Sequence, residues 1–519
     1  MRKENLFVKI ANYAAIYLFF LFIVFYYANN INLERHWSSF TDQEVTLAYN
    51  ALLFNSGALQ EYNDHPGYFT IFFLSIFLKF INGIGYLSTY NFSILDSNHN
   101  LDADLQNIIY YTRIFSSICV SFFLLSVFFL IDLFAKNKFF SLLLCVVVVF
   151  SIGTVVAMSQ LRTELFAMMF FLLSLLNLCL FFKATHKYKI YNLILFFIFL
   201  FCSILNKSQT FFYLPCILLL SYFSYPEINI SNLNLNKNSF LKRSEIKYFL
   251  FFIIFYYIFY KNFNFEQPKS KLILNIIFLT LNVFLINIFF YICLKKNNFK
   301  IYENLMIINL IMIVVFFLFK NILFLHPSTN EESFKTSFTN IMNIAVYIKN
   351  LSPDRNTDIY AAMQKILFFN LPDILRNLIG KITSINYYSY LIALNILLNY
   401  FFRKYLKKNN IIFNISCIFV FFYISTINEF RTAIQYSIYS DFFLALSFAN
   451  FGNSIKGNKI ILVGALILLA TFLNRNDIIN YTNSIKMNNI NSLCADTYFN
   501  DWHKKISKKD FDGFCKKYK

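Results

Sequence analysis

Long apolar stretches separated by short polar connections run along the whole chain. Each is long enough to cross about 30 Å of hydrocarbon as a helix of about 20 residues, and clusters of Lys, Asn and Pro end it. Counting these stretches gives about thirteen spans. The pattern therefore predicts an all-α polytopic membrane protein, with a transmembrane domain over residues 1–473 and a small external tail over residues 474–519.

The distribution of Lys and Arg orients the predicted spans, because basic residues on short connections resist translocation. The start of the chain carries Arg2, Lys3 and Lys9 and belongs on the inner side. The first span then runs outward over residues 6–28, and residues 29–107 form a long external loop. Alternation of the later spans places the other Lys-rich turns inside.

One apolar stretch within the external loop must not cross the membrane if this map is to close. It covers residues 66–80, and its flanks carry no strong basic charge. A length of about 15 residues is marginal for a span. We expect a re-entrant or membrane-surface helix here, since a crossing would turn every later basic loop to the outer side.

Composition excludes an ordinary soluble domain, because the 519 residues are 58% hydrophobic, 21% aromatic and 14% charged. The formal net charge of +19 fits inner loops facing anionic lipid headgroups, so no nucleic-acid partner is expected. The bias toward Asn, Lys, Ile and Phe is typical of an AT-rich genome, most simply bacterial. We therefore expect the bacterial cytoplasmic (inner) membrane, with a periplasmic outer side.

Cysteine usage adds little to this picture. Seven of the 9 cysteines fall in predicted spans, where a thiol acts as a small apolar filler. Cys494 and Cys515 lie on the predicted external tail, and a disulfide between them stays open.

An acid pair follows the first predicted span. Asp42 and Glu44 lie just outside the membrane, directly before the helical pattern VTLAYNALL. Acids at a helix start are favoured by free N–H groups and by the helix dipole, so capping is one interpretation. The other is chemical, because a carboxylate at the membrane surface can accept a proton from an attacking hydroxyl or hold a divalent cation.

Further motifs follow the acid pair in the same loop. After Asp42-x-Glu44 come Ala48, Gly57 and the segment His65-Pro66-Gly67 before an apolar helix. Together these motifs resemble the first external loop of C-type (GT-C) glycosyltransferases, which include protein O-mannosyltransferases, aminoarabinose transferases and oligosaccharyltransferases. The chain departs from that pattern at Gln43, between the acids, and at Gly67, where a second proline is usual.

The resemblance covers about the first 180 residues. Arg113 at the opening of the next span is similar to the family, as is the second external turn with Arg162 and Glu164. A GT-C-like fold implies transfer of a sugar from a polyprenyl-phosphate donor to a hydroxyl of a glycan, lipid or protein acceptor at the outer face, with inversion.

The resemblance also implies roles for individual residues. Asp42 is the first candidate for general base and Glu44 the second. Positive charge must meet the departing phosphate, where negative charge grows as the bond breaks. The candidates for this role on the predicted outer side are Arg162, Arg431, Lys207 and His65.

Metal use differs between branches of the family. Some members hold a divalent ion between acids of the first and second external loops, and Asp42 with Glu164 is the matching pair here. The chain has few acids in these loops and no His/Cys cluster. This favours the absence of a tightly held Mg²⁺ or Mn²⁺ ion.

Each candidate side chain also has a purely structural interpretation. Arg162 can pair with Glu164, Arg431 can pair with Glu429, and His65 can order its own loop through hydrogen bonds.

Two other functions stay open. A polysaccharide polymerase or O-antigen ligase would use the late external loop 326–386, with His326, Arg355 and Arg376. A lipid-linked sugar flippase or other transporter would show internal repeats and spans broken at Gly or Pro. The sequence has only 10 Gly and 7 Pro and no visible repeat, which disfavours the transporter.

Overall fold

The computed structural model describes the chain over residues 6–31, 33–37, 43–58, 67–92, 101–183, 186–207, 210, 213–224, 285–293, 305, 307–312, 314–315, 318, 387–429 and 437–472. Within these residues the fold is all-helical and contains no strand. The helices are α1 (Leu6–Asn30), α2 (Gln43–Asn55), α3 (Tyr68–Gly83), α4 (Leu101–Ala135), α5 (Lys138–Val149), α6 (Ile152–Ser159), α7 (Thr163–Lys183), α8 (His186–Asn206), α9 (Leu214–Ser224), α10 (Tyr387–Phe401), α11 (Lys408–Glu429), α12 (Ile438–Leu446), α13 (Ala449–Ser454) and α14 (Asn458–Phe472).

Among the described helices, five are long and apolar enough to cross a membrane, or six if the bent pair α5 and α6 forms one span. The five are α1, α4, α7, α8 and α11, while α3, α10 and α14 are shorter apolar helices. These helices are those of a multi-pass membrane-associated protein. The expectation of about thirteen spans reaches into residues outside the described ranges and stays a prediction.

Helix α4 forms the centre of the described bundle. It packs against α1, α5, α6 and α7. In its most apolar stretch of 18 residues, 72% of the residues are buried, against 11% in that of α1. Phe115 of α4 stacks on Phe166 of α7 with ring centroids 6.0 Å apart. The outer face of α1 leaves Leu18 and Phe22 exposed, and lipid is the solvent that suits such a face. The helices packed around α4 therefore shield its polar residues on most sides.

Lysine-rich turns gather at one end of the bundle. The Lys183 ammonium lies 5.0 Å from the Phe134 ring, and the Lys138 ammonium lies 5.9 Å from the Tyr13 ring. Phe134 also meets Phe413, near the start of α11, with ring centroids 4.5 Å apart. The ends of α4 and α7 and the start of α11, which the sequence places on the inner side, thus lie together.

Helix α3 occupies the opposite end. The Gly67 N–H before it donates to the Asn206 carbonyl at the end of α8, over 3.0 Å. Past its other end, the Ser88 hydroxyl donates to Asp104 in the first turn of α4, over 3.4 Å. Both flanks of α3 therefore contact the end of the bundle that lies away from the Lys-rich turns. The expectation that residues 66–80 do not cross the membrane stays a prediction.

One predicted span is broken in the structure. Residues 139–157 read as a single helix in the sequence, but α5 and α6 meet at 69°. A break frees backbone N–H groups, which need partners in apolar surroundings. The Ser151 hydroxyl accepts the Thr154 N–H over 3.4 Å, and the buried Asp441 carboxylate of α12 lies against the Gly153 N–H, where the helix dipole favours negative charge. Residues 436–451 are likewise divided, between α12 and α13.

A ladder of buried Asn side chains joins α10, α11 and α13. The Asn399 amide donates to the Asn395 side-chain oxygen over 2.7 Å, the Asn414 amide to Asn399 over 3.0 Å, and the Asn450 amide to Asn414 over 3.1 Å. Hydrogen bonds between polar side chains add specificity to helix association where apolar surfaces face apolar lipid. The ladder fixes how these helices align along the bundle.

The close approach at the helix break gives a stability prediction. A Cβ on Gly153 would lie 2.2 Å from the Ile438 backbone nitrogen and 2.6 Å from its Cα, so backbone must shift. We expect Gly153→Ala to lower the free energy of unfolding by about 1–3 kcal/mol, measured as earlier thermal unfolding in detergent. Gly83→Ala is the matched control, because nothing lies within 4 Å of its Cβ position. Equal unfolding temperatures for the two variants would contradict the close contact.

Candidate functional site

A buried ion pair holds the start of α2 against α4. The Arg113 Nε lies 3.2 Å from each Glu44 carboxylate oxygen, and its Nη2 lies 3.1 Å from Oε2. The Arg113 Nη1 donates to the Leu33 carbonyl over 3.1 Å and also to the Arg35 carbonyl. One guanidinium therefore fixes both the acid of α2 and the segment that follows α1.

Arg35 links this pair to the turn between α6 and α7. Its Nη2 lies 4.0 Å from the Glu44 Oε2 and donates to the Ser159 carbonyl over 2.6 Å. Ser116, on α4, donates to the Ala157 carbonyl over 2.6 Å. The first and second predicted external segments therefore meet through α4 and Arg35.

A second carboxylate lies at the start of α7. The Glu164 Oε1 is 2.9 Å from the Lys207 ammonium, and its Oε2 is 3.3 Å from the Arg162 Nε. Asn206, next to Lys207, donates to the Thr163 carbonyl over 2.6 Å and so ties the end of α8 to the start of α7. Two cations predicted from the sequence thus converge on one acid.

These two groups of side chains are linked through the contact of Arg35 with Ser159, and together we call them the ionic cluster: Arg35, Glu44, Arg113, Arg162, Glu164 and Lys207. None of the six is more than 7% exposed. Four are cationic and two are anionic, and all four cations take part in ion pairs with the two acids. Burying a charge is costly unless it is paired and hydrogen-bonded. A cluster with this surplus of cations suits an entering anion, which would share their N–H donors.

The structure places some of the predicted site residues and not others. Arg162 and Lys207 meet at Glu164, as the structural interpretation of Arg162 anticipated. Glu44 lies in the first turn of α2, and the Arg113 guanidinium holds both of its oxygens. The predictions for Asp42, His65 and Arg431 fall on residues outside the described ranges, as do those for the late loop 326–386.

The contacts of Glu164 bear on metal binding. Its two oxygens already face the Lys207 ammonium and the Arg162 guanidinium. A divalent cation prefers several oxygen ligands, and two neighbouring positive charges oppose its approach. No cluster of three or more His, Cys, Asp or Glu side chains occurs within the residues described. Glu164 is therefore a poor ligand for Mg²⁺ or Mn²⁺ in this arrangement.

The sequence analysis missed three polar residues that the structure brings forward, Asp441, Arg35 and Gln160. Asp441 carried the clearest signal, since a lone acid in the apolar stretch YSIYSDFFLALSF is expensive in a membrane and calls for a partner. Arg35 directly follows the first span and could be found in the same way. Gln160 gives no sequence signal, because a single Gln beside an external turn is common on solvated loops.

Comparison with known proteins finds no match to the chain among protein-family models, curated proteins or solved structures.

The Glu44–Arg113 pair gives a second stability prediction. Arg113→Met leaves a buried carboxylate without its two-pronged partner, and we expect it to lower the free energy of unfolding by about 3–5 kcal/mol. Adding Glu44→Gln removes that carboxylate, so the double variant should recover part of the loss. Thermal unfolding in detergent measures both. If the stability lost by the double variant equals the sum of the losses of Arg113→Met and Glu44→Gln alone, the pair is not energetically coupled.

Proposed function

We propose that the chain is an integral-membrane glycosyltransferase of the GT-C type. It moves a sugar from a polyprenyl-phosphate donor to an acceptor hydroxyl at the outer face of the membrane, with inversion. The observation that carries the proposal is the buried ionic cluster, which contains Glu44 of the Asp42-x-Glu44 motif. Four cations gathered at one end of an apolar bundle suit the phosphate of a lipid that enters from the bilayer.

The reaction follows from this placement. The acceptor oxygen attacks the anomeric carbon of the sugar and forms the new glycosidic bond. The bond between that carbon and the phosphate oxygen breaks, and its electron pair leaves with the polyprenyl phosphate. Asp42 takes the proton of the acceptor hydroxyl as general base. Inversion results because attack and departure occur on opposite faces of the carbon.

The described residues have the remaining roles in this reaction. Arg162 and Lys207 supply positive charge to the departing phosphate, where negative charge grows. Glu44 serves as a positioning residue in this account, since Arg113 occupies both of its oxygens and the two together fix the start of α2 next to Asp42. Arg431 and His65 remain candidates for phosphate binding from the sequence alone.

The topology that this function needs is also part of the proposal. About thirteen spans, an inner amino terminus and a non-crossing α3 put the ionic cluster at the outer face. The Lys-rich turns at the opposite end of the bundle support this orientation, since such turns stay on the cytoplasmic side. A bacterial cytoplasmic membrane would then present the site to the periplasm, where a glycan, lipid or protein acceptor enters.

One observation favours a different function. The broken helix α5–α6, with the Asp441 carboxylate against the start of α6, resembles the interrupted spans that transporters use near the membrane midplane. Sequence analysis did not predict such a break. A flippase for lipid-linked sugars is therefore the second candidate.

Transfer of labelled sugar tests the proposal. Purified protein in proteoliposomes is given a panel of polyprenyl-phosphate sugars, and wild type is compared with Asp42→Asn at equal folded yield. We expect turnover to fall at least about 100-fold, the scale for removing a general base. Asp104→Asn is the matched control in the same loop, because Asp104 accepts a hydrogen bond from the Ser88 hydroxyl and is not a member of the ionic cluster, and it should keep full turnover.

Two results would overturn the proposal. In the first, wild type transfers no sugar from any donor but moves intact lipid-linked sugar across the bilayer, and Asp42→Asn does the same; the flippase then takes its place. In the second, transfer occurs but Asp42→Asn and Asp104→Asn are equally active, which removes Asp42 from the reaction.

A further inference from the structure

The side chain of Gln160 is buried without a structural role in the part of the chain that the structure describes. It is 1% exposed, and neither its Nε2 nor its Oε1 has a hydrogen-bond partner among those residues. Its backbone is fixed, since its carbonyl accepts the Ser116 hydroxyl over 3.3 Å. The amide is therefore buried on a fixed backbone with both of its polar atoms unbonded among these residues.

The neighbours of Gln160 in the chain contact the ionic cluster. Ser159 before it gives its carbonyl to Arg35, and Arg162 after it contacts Glu164. The residue thus sits in the turn that joins the two halves of the ionic cluster. Gln160 is two residues before Arg162, one of the cations that would bind a phosphate.

A second, half-buried glutamine near the cluster, Gln106, shows the usual arrangement for comparison. The Gln106 Oε1 accepts the Trp37 N–H over 2.8 Å, and its Nε2 donates to the Glu34 carbonyl over 3.1 Å. Such full use of both atoms is typical, since the large majority of buried polar side-chain atoms have a partner. Leaving an amide unbonded in a buried place costs stability, which points to a ligand as the missing partner of Gln160.

We infer that Gln160 binds a hydroxyl of the sugar carried on the phosphate of the lipid-linked donor. A primary amide offers two N–H donors and one oxygen acceptor, which match a sugar hydroxyl that both donates and accepts. The neighbouring cations bind the phosphate, and Gln160 recognises the attached sugar through hydrogen bonds to its hydroxyl. The inference rests on the proposed function and makes Gln160 a residue that determines donor specificity.

Ligand-induced thermal stabilisation in detergent tests this assignment with two probes. One is polyprenyl phosphate without sugar, and the other is a panel of polyprenyl-phosphate hexoses and pentoses. We expect the best sugar-linked lipid to bind wild type more tightly than the bare lipid phosphate. In Gln160→Leu the affinity for that lipid should fall about tenfold, the worth of a good hydrogen bond, while the affinity for the bare lipid phosphate stays unchanged.

Asn177→Leu is the matched control. It also replaces a buried amide with Leu, on α7, but its Nδ2 donates to the Leu173 carbonyl of the same helix over 2.7 Å. It should keep the wild-type affinity for both probes. Without ligand, Gln160→Leu should be at least as stable as wild type, because the substitution removes an unbonded buried amide.

The outcomes separate this inference from the proposed function. If neither probe stabilises wild type, the proposed function fails and the assignment of Gln160 fails with it. If the sugar-linked lipid binds wild type and Gln160→Leu equally well, the proposed function stands and the assignment is wrong. A Gln160→Leu protein that unfolds well below wild type without ligand has lost a structural contact, which also overturns the assignment.

Discussion

Burial of six charged side chains at one end of an apolar bundle sets the arrangement of the described helices. A charge left alone there would be far less stable than in water, so each one needs a partner from another part of the chain. Glu44 forms an ion pair with Arg113 on α4, and Glu164 forms one with Lys207 at the end of α8. A shift of α4 by one residue would turn Arg113 by about 100° around the helix and separate the pair. The ion pairs therefore fix the axial and rotational positions of helices that apolar packing alone leaves free to slide.

The break between α5 and α6 belongs to the same arrangement. The 69° bend directs α6 so that its last turn meets both α4 and Arg35, through the carbonyls of Ala157 and Ser159. The bend exposes N–H groups within apolar surroundings, where the Ser151 hydroxyl accepts the Thr154 N–H and the buried Asp441 carboxylate lies near the start of α6. A buried acid outside the ionic cluster thus lies at the start of the helix whose end contacts Arg35.

The contacts within the cluster assign different roles to the acids. Glu44 and Glu164 are both engaged by cations, so their oxygens serve to position the helices and their neighbours. On the proposed function, proton transfer falls to Asp42, two residues before Glu44. The unbonded amide of Gln160 differs from every charged member of the cluster, because it offers hydrogen bonds without adding charge. A polar group of that kind suits discrimination between ligands that carry the same phosphate.

The sequence by itself determined the all-helical class with several apolar helices of membrane-spanning length, and it placed Arg162, Glu164 and Lys207 at the same end of the bundle. Hydropathy and the placement of Lys and Arg suffice for this, because they act on each segment separately. Only the tertiary structure decided that Lys207 reaches Glu164, that Arg113 holds Glu44, and that residues 139–157 bend. The partners Arg35 and Ser159 are 124 residues apart, and no local pattern encodes such a distance. Contacts of that kind depend on how whole helices pack, and the same packing leaves the Gln160 amide buried without a protein partner among the described residues.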